Sequence, residues 1–164
     1  MLTIESRVTV PDLTGAEVTS FLLECSDERY RAWWPGVHLQ LHQVAAGRAD
    51  HVGETVLMDE FIGTRRVSMN CVVVQVDPGR KLLWQLKKGI RLPVWLTLRL
   101  TDGVDGVTIH HAITAGWTGW RRWLDPLFRL YFTPNFAAAM DRHAHTEFAR
   151  LRDLLHHAGD GSTS

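Results

Sequence analysis

TPNFAAAMDRHAHTEFARLRDLLHHAG, residues 133–159, reads as one long helix near the end of the chain. Thr133 suits the cap, Pro134 suits the first helical position, and Gly159 is a natural stop. At about 100° per residue, Phe136, Met140, Ala144, Leu151, Leu154 and Leu155 fall on one face. His143 and Glu147 fall on the same face, each about 20° from Phe136. His145 projects to the opposite side with Asp141 and Arg152. A carboxylate on an apolar stripe needs a cation, a hydrogen-bond donor or a metal. The nearest cation on the helix is Arg150, about 40° from Phe136 on the stripe's edge.

What precedes this helix tells what it covers. Leu2, Ile4, Val8 and Val10 alternate in a first strand that Pro11 ends. Two short helices are predicted next, around Glu17 to Cys25 and Asp27 to Trp34, closed by Pro35-Gly36. Six strand-like runs follow: Leu39 to Ala45, Thr55 to Ile62, Arg66 to Val76, Lys81 to Lys88, Val94 to Thr101 and Val107 to Ala115. Asp77-Pro78-Gly79 and Asp102 to Gly106 are strong hairpin signals, with weaker ones at Gly63-Thr64 and Gly89 to Pro93. The expected class is α+β: a curved, seven-stranded antiparallel sheet wrapped around the last helix, with two short helices after strand 1. One helix across a concave sheet closes it without filling it, which leaves a pocket.

With 164 residues, the chain is expected to form one domain over residues 1–158 and a disordered polar tail over 159–164. Eighteen basic residues balance eighteen acidic ones without a long basic run, which argues against nucleic acid as a partner. Cys25 and Cys71 lie in apolar segments without metal-finger spacing and read as buried thiols. No signal-peptide pattern or membrane-length apolar run appears, so a soluble cytoplasmic setting is expected. There is no catalytic Ser-His-Asp order, phosphate loop or dinucleotide fingerprint, hence no expected nucleotide cofactor. The oligomeric state is left open.

The order of elements, with Trp84 and Trp95 in central strands and FARLRDLL closing the last helix, resembles the helix-grip fold of the START-like superfamily (SRPBCC), which includes polyketide cyclases, lipid-transfer domains and plant pollen allergens. Within it, YRAWWPGVH, MDEFIG and MDRHAHTEF are similar to a group that includes the 2,4-diacetylphloroglucinol hydrolases. In that group a histidine, a glutamate and a His-x-x-x-Glu pair on the last helix hold zinc. The matching positions here are His38, Glu60, His143 and Glu147. The resemblance implies Zn²⁺, with Fe²⁺ or Mn²⁺ as alternatives, and hydrolysis of a carbon–carbon bond next to a carbonyl on an aromatic or polyketide-like compound.

The residues themselves leave choices open. Strand alternation does not say whether Glu60 or Asp59 points inward, and His42 shares a strand face with His38. A mixed His/carboxylate set in a cavity suits a divalent metal with a position left for water or substrate. Trp34, Met58, Trp84, His111 and Met140 are the expected ligand-binding residues. Two other readings stand beside the hydrolase: a non-catalytic carrier or sensor of a lipid-like molecule, and a polyketide cyclase or aromatase without metal. The aromatic run Trp117 to Phe132 is expected to pack over the cavity mouth, with a lipid surface as the less favoured alternative.

Overall fold

The computed structural model describes residues 1–117, 119, 123 and 125–157. Strand β1 (Leu2–Val10) leads into α1 (Gly15–Leu23) and α2 (Asp27–Trp33). Six strands follow: β2 (His38–Ala45), β3 (Thr55–Ile62), β4 (Arg65–Asp77), β5 (Lys81–Lys88), β6 (Ile90–Gly103) and β7 (Gly106–Ala115). Helices α3 (Pro126–Tyr131) and α4 (Pro134–His157) complete the described chain. The strands form one antiparallel sheet in the order β1-β7-β6-β5-β4-β3-β2.

Local chemistry fixes the helix starts. Thr14 and Glu17 form a reciprocal capping box on α1, and the Ser26 hydroxyl accepts from the Arg29 N–H at the start of α2. The Thr133 hydroxyl accepts from the Phe136 N–H at 3.2 Å, so α4 begins where its Thr-Pro signal placed it. Its far end is tied to α1 by His156 Nε2 and Glu17 Oε1, 2.9 Å apart. The expected stop at Gly159 and the polar tail lie outside the described residues.

One strand boundary differs from the sequence reading by more than two residues. The Gly89 to Pro93 segment is not a loop: the turn is confined to Lys88-Gly89-Ile90, and β6 runs through Pro93. Gly89 takes the required positive φ of 72°. Proline is tolerated in this strand beside an irregularity in the β5–β6 pairing between Gln85 and Lys87, where the Gln85 side-chain amide donates to the Leu92 carbonyl.

Helix α4 lies across the sheet with its apolar face inward, burying Phe136, Met140, Ala144, Phe148 and Leu151. Two packed clusters result. One joins α1 and α2 to the sheet through Phe21, Trp33, Leu82 and Phe148; the other joins Ile4, Ile62 and Val94 to Phe132 and Phe136. Members of both clusters bound a cavity of about 610 Å³ that the helix covers without filling.

Candidate metal centre and cavity

Three elements converge at one end of the cavity. Helix α2 ends at Trp33, and the turn that follows returns through Trp34 O, which accepts from the N–H groups of both Val37 and His38. That turn sets His38 at the first position of β2, directly opposite Glu60 on β3. Residues opposite each other across two strands share a face, so both side chains enter the same space. Helix α4 supplies His143 and Glu147 one turn apart.

These four side chains form one cluster, with a ligand atom from each lying within 4.8 Å of all the others. His38 Nε2 is 3.5 Å from Glu60 Oε2 and 3.4 Å from Glu147 Oε1. His143 Nε2 is 3.4 Å from Glu60 Oε2 and 3.8 Å from Glu147 Oε2. These separations exceed the N–H···O range. They are close to the edge of about 3.4 Å expected of a tetrahedron with bonds of about 2.0–2.1 Å around zinc.

The polar inventory points the same way. Both nitrogens of His38 and Nε2 of His143 are buried without a hydrogen-bond partner. Among the described residues, the ion-pair contacts of Glu60 and Glu147 are to these two histidines and to no lysine or arginine. The two Nε2 atoms, facing two carboxylates without a fixed cation, fit a divalent metal as the missing partner, which His38 Nδ1 on the far side of its ring does not share. Burial pushes the His143 pKa down, but Glu60 and Glu147 outweigh it and hold the imidazole above its ordinary value. Burial likewise pushes Glu60 up, and His143, then His38 and the Tyr30 hydroxyl, bring it below the usual carboxylate range.

Both open choices resolve into geometry. Asp59 points away from the cluster and is gripped by the Arg66 guanidinium through two hydrogen bonds of 2.9 and 2.6 Å. His42 lies on Asp27, with Nδ1 and Oδ1 2.8 Å apart. Arg150, the possible partner for Glu147, instead stacks over the Trp34 ring at 5.3 Å.

The expected ligand-binding residues divide. Met58, Trp84, His111 and Met140 line the cavity. Trp34 does not: as the C-cap of α2 it lies against the His143 ring at 4.8 Å, and the cavity wall is formed by its neighbour Trp33. His111, on β7, has Nδ1 buried without a partner, and burial lowers its pKa more than the nearby carboxylates raise it. It therefore presents a neutral imidazole to the cavity.

Tyr30 is the site residue that the sequence reading missed. Its hydroxyl donates to Glu60 Oε2 at 2.8 Å, and its ring stacks on His38 at 4.1 Å with a 5° interplanar angle. One side chain thereby orients two of the four cluster members. The signal was its position three residues before Trp33, which puts both on one side of α2. Burial, then Glu60 and Glu147, push the Tyr30 pKa well above the usual phenol value, so it remains a donor. Tyr30→Phe keeps the stack and removes the donor. It is expected to weaken metal affinity by about 10–100-fold, the usual scale for outer-shell partners, as read by chelator competition.

The aromatic run divides between inside and outside. Phe128, Tyr131 and Phe132 reach the cavity wall, whereas Leu127 and Leu130 face solvent. Trp117 lies beside Phe128 with ring centroids 6.5 Å apart. Residues 118, 120–122 and 124 of this run lie outside the described residues. Among the described residues, no helix is long and apolar enough to cross a membrane.

The architecture recurs in solved structures. Ara h 8.0201 aligns with a TM-score of 0.61 at 12% identity, covering 94% of this chain and 97% of that one. A protein of Chromobacterium violaceum aligns at 0.60 with 12% identity and the same coverage. A polyketide-cyclase-like protein of Corynebacterium glutamicum aligns at 0.53 with 12% identity, covering 98% of this chain and 94% of that one. At these identities the likeness shows the fold alone. None of the curated proteins is a significant sequence match. The family model described as polyketide cyclase / dehydrase and lipid transport matches residues 1–153, so the chain belongs to that family, within the START-like superfamily.

Proposed function

We propose that this protein binds an apolar, aromatic or polyketide-like small molecule in the cavity and holds a divalent metal at its inner end through His38, Glu60, His143 and Glu147, in support of hydrolysis of a carbon–carbon bond next to a carbonyl. The observation that carries the reading is the four-residue cluster at metal-ligand spacing, with two buried imidazole nitrogens, Nε2 of His38 and Nε2 of His143, that face its carboxylates without a hydrogen-bond partner. Zn²⁺ suits the donor set, with Fe²⁺ or Mn²⁺ as alternatives. A metal bound there would polarise a ketone oxygen and stabilise an enolate or phenolate leaving group. The protein's own groups do the rest. Trp33 packs edge-on against the His38 ring at 4.6 Å and shields that side of the site, and Tyr30 fixes the Glu60 carboxylate. His111 lines the cavity and brings a neutral imidazole alongside a bound ligand.

The test is metal analysis of protein purified without a chelating column, paired with native mass spectrometry. About one metal per chain is expected from a one-site cluster. Metal-free protein that also fails to take up added Zn²⁺ overturns the reading.

The mostly apolar wall favours a second reading, a non-catalytic carrier of a lipid-like molecule. Native spectra would then show a co-purified apolar ligand and no metal, with His143 and Glu147 orienting the ligand's polar end. Metal-replete protein with an empty cavity counts against it.

A further inference from the structure

The inward face of β1 is apolar except at Ser6, and the inward face of β7 is apolar except at His111. Strand pairing sets these two exceptions directly opposite each other, between the apolar pairs Ile4–Ile113 and Val8–Ile109. On β6 the row continues with Leu98. Residues so paired share a face, with Cβ atoms about 4.5–5.5 Å apart. Ser6 is 3% exposed and His111 8%. Ser6 Oγ and His111 Nδ1 are each buried without a hydrogen-bond partner. Two such atoms among aliphatic side chains are costly unless they serve each other or a ligand.

The two ends of the imidazole differ. His111 lines the cavity, and of its nitrogens only Nδ1 is buried and unpartnered, so Nε2 is the one open to the cavity. In a neutral ring one nitrogen donates and the other accepts. Ser6 selects between the two arrangements. If Nδ1 carried the proton and donated to Ser6 Oγ, the serine's own proton would stay unpaired in apolar surroundings. If the serine donates to Nδ1, one bond serves both orphaned atoms and leaves only spare lone pairs on Oγ. The competing acceptor is Asp141 of α4, which borders an outer groove together with Ser6. Its carboxylate is 51% exposed, where water solvates it, and lies 3.7 Å from His145 Nδ1.

We propose that the Ser6 hydroxyl, directly or through one buried water, donates to His111 Nδ1 and fixes the ring with its proton on Nε2, as a hydrogen-bond donor to the ligand in the cavity. The ligand that fits carries an acceptor oxygen at this wall, from a ketone, an ether or a phenolate, on an otherwise apolar frame. His111 touches the ligand, and Ser6 is a positioning residue that acts through it. The assignment rests on the reading of the cavity as a ligand site and is independent of the metal.

Side-chain nitrogen NMR of the full chain at pH about 8, with a chelator present, reads the tautomer. The His111 signals, identified by their loss in His111→Phe, are expected to show a bare Nδ1 and a protonated Nε2. Ser6→Ala should let both tautomers populate, Ser6→Thr should restore the single one, and Asp141→Asn should change nothing. Acetylnaphthalene and ethylnaphthalene serve as probes of like shape, with and without an acceptor oxygen. His111→Phe should weaken the ketone about tenfold and cost the hydrocarbon nothing, with a smaller ketone-specific loss in Ser6→Ala. A proton on Nδ1 in the wild type overturns the proposal. So does a tautomer that Ser6→Ala leaves unchanged or Asp141→Asn alters, and so does an equal loss of both probes in His111→Phe. Retention of neither probe by the wild type overturns the ligand reading of the cavity and with it the donor role, whatever the tautomer, so the two failures are distinguishable.

Discussion

Glu147→Gln is expected to lower divalent-metal affinity by more than the roughly 10–100-fold typical of outer-shell changes, while leaving the fold intact. The amide keeps the size and shape of the carboxylate and removes its charge. Glu147 faces His38 and His143 at 3.4 and 3.8 Å, and no lysine or arginine among the described residues takes its place in balancing the cluster. The remaining charge on Glu60 cannot alone offset the desolvation of a dication. His145→Ala is the control, because that imidazole is exposed on the outer side of α4 and bonds only locally to Asp141. Competition with a chromophoric chelator on apo protein gives both numbers. Wild-type affinity in the glutamine variant, or an equal loss in the alanine variant, would mean that the cluster is a buried polar network and not a metal site.

This site was legible in α4 and only half legible elsewhere, for a physical reason. A helix reveals its buried face through a period of about 3.6 residues, so the phase of His143 and Glu147 against Phe136 and Leu154 already separated them from His145. A strand reveals its buried face only when one side is apolar. In β3 both sides carry apolar residues and one acid each, so Asp59 and Glu60 were indistinguishable until their partners were seen: Arg66 for one, the histidines and Tyr30 for the other. His38 was placed by resemblance, and what positions it is the turn closed on Trp34 O. The antiparallel succession from β3 to β7 followed from the hairpin signals and α4 from its cap and period, whereas the pairing of β1 with β7 had no local signal. The passage of β6 through Pro93 did not, because a proline tolerated beside a sheet irregularity looks like a loop proline in sequence.

The same cluster makes stability depend on metal and on pH in opposite senses. Without metal, two carboxylates and two imidazoles sit in a largely apolar interior, where ionic groups rarely repay their desolvation. A metal that binds only the folded chain adds about 4 kcal/mol when its free concentration is a thousand times Kd, or about 10 °C in unfolding midpoint for a chain of this size. Stripping the protein with a chelator should lose that increment. Glu147→Gln, which holds the metal weakly, should lose much less. In the stripped protein the raised pKa of His143 contributes stability that is fully present below its unfolded value of about 6.5 and is lost as pH rises through the higher folded value. Glu60, whose pKa is depressed, loses its contribution only as pH falls through its folded value, far below neutrality, and is silent in this window. His111, whose pKa burial lowers, works against this as pH falls through its unfolded value of about 6.5, so in a His111→Gln background lowering pH from about 8 to about 6 should raise the stripped protein's midpoint. The loaded protein should fall over the same range, because metal binding must displace the proton that His143 retains. Thermal scans with and without chelator across this range check both signs, and parallel pH curves for the two forms would separate His143 from the metal.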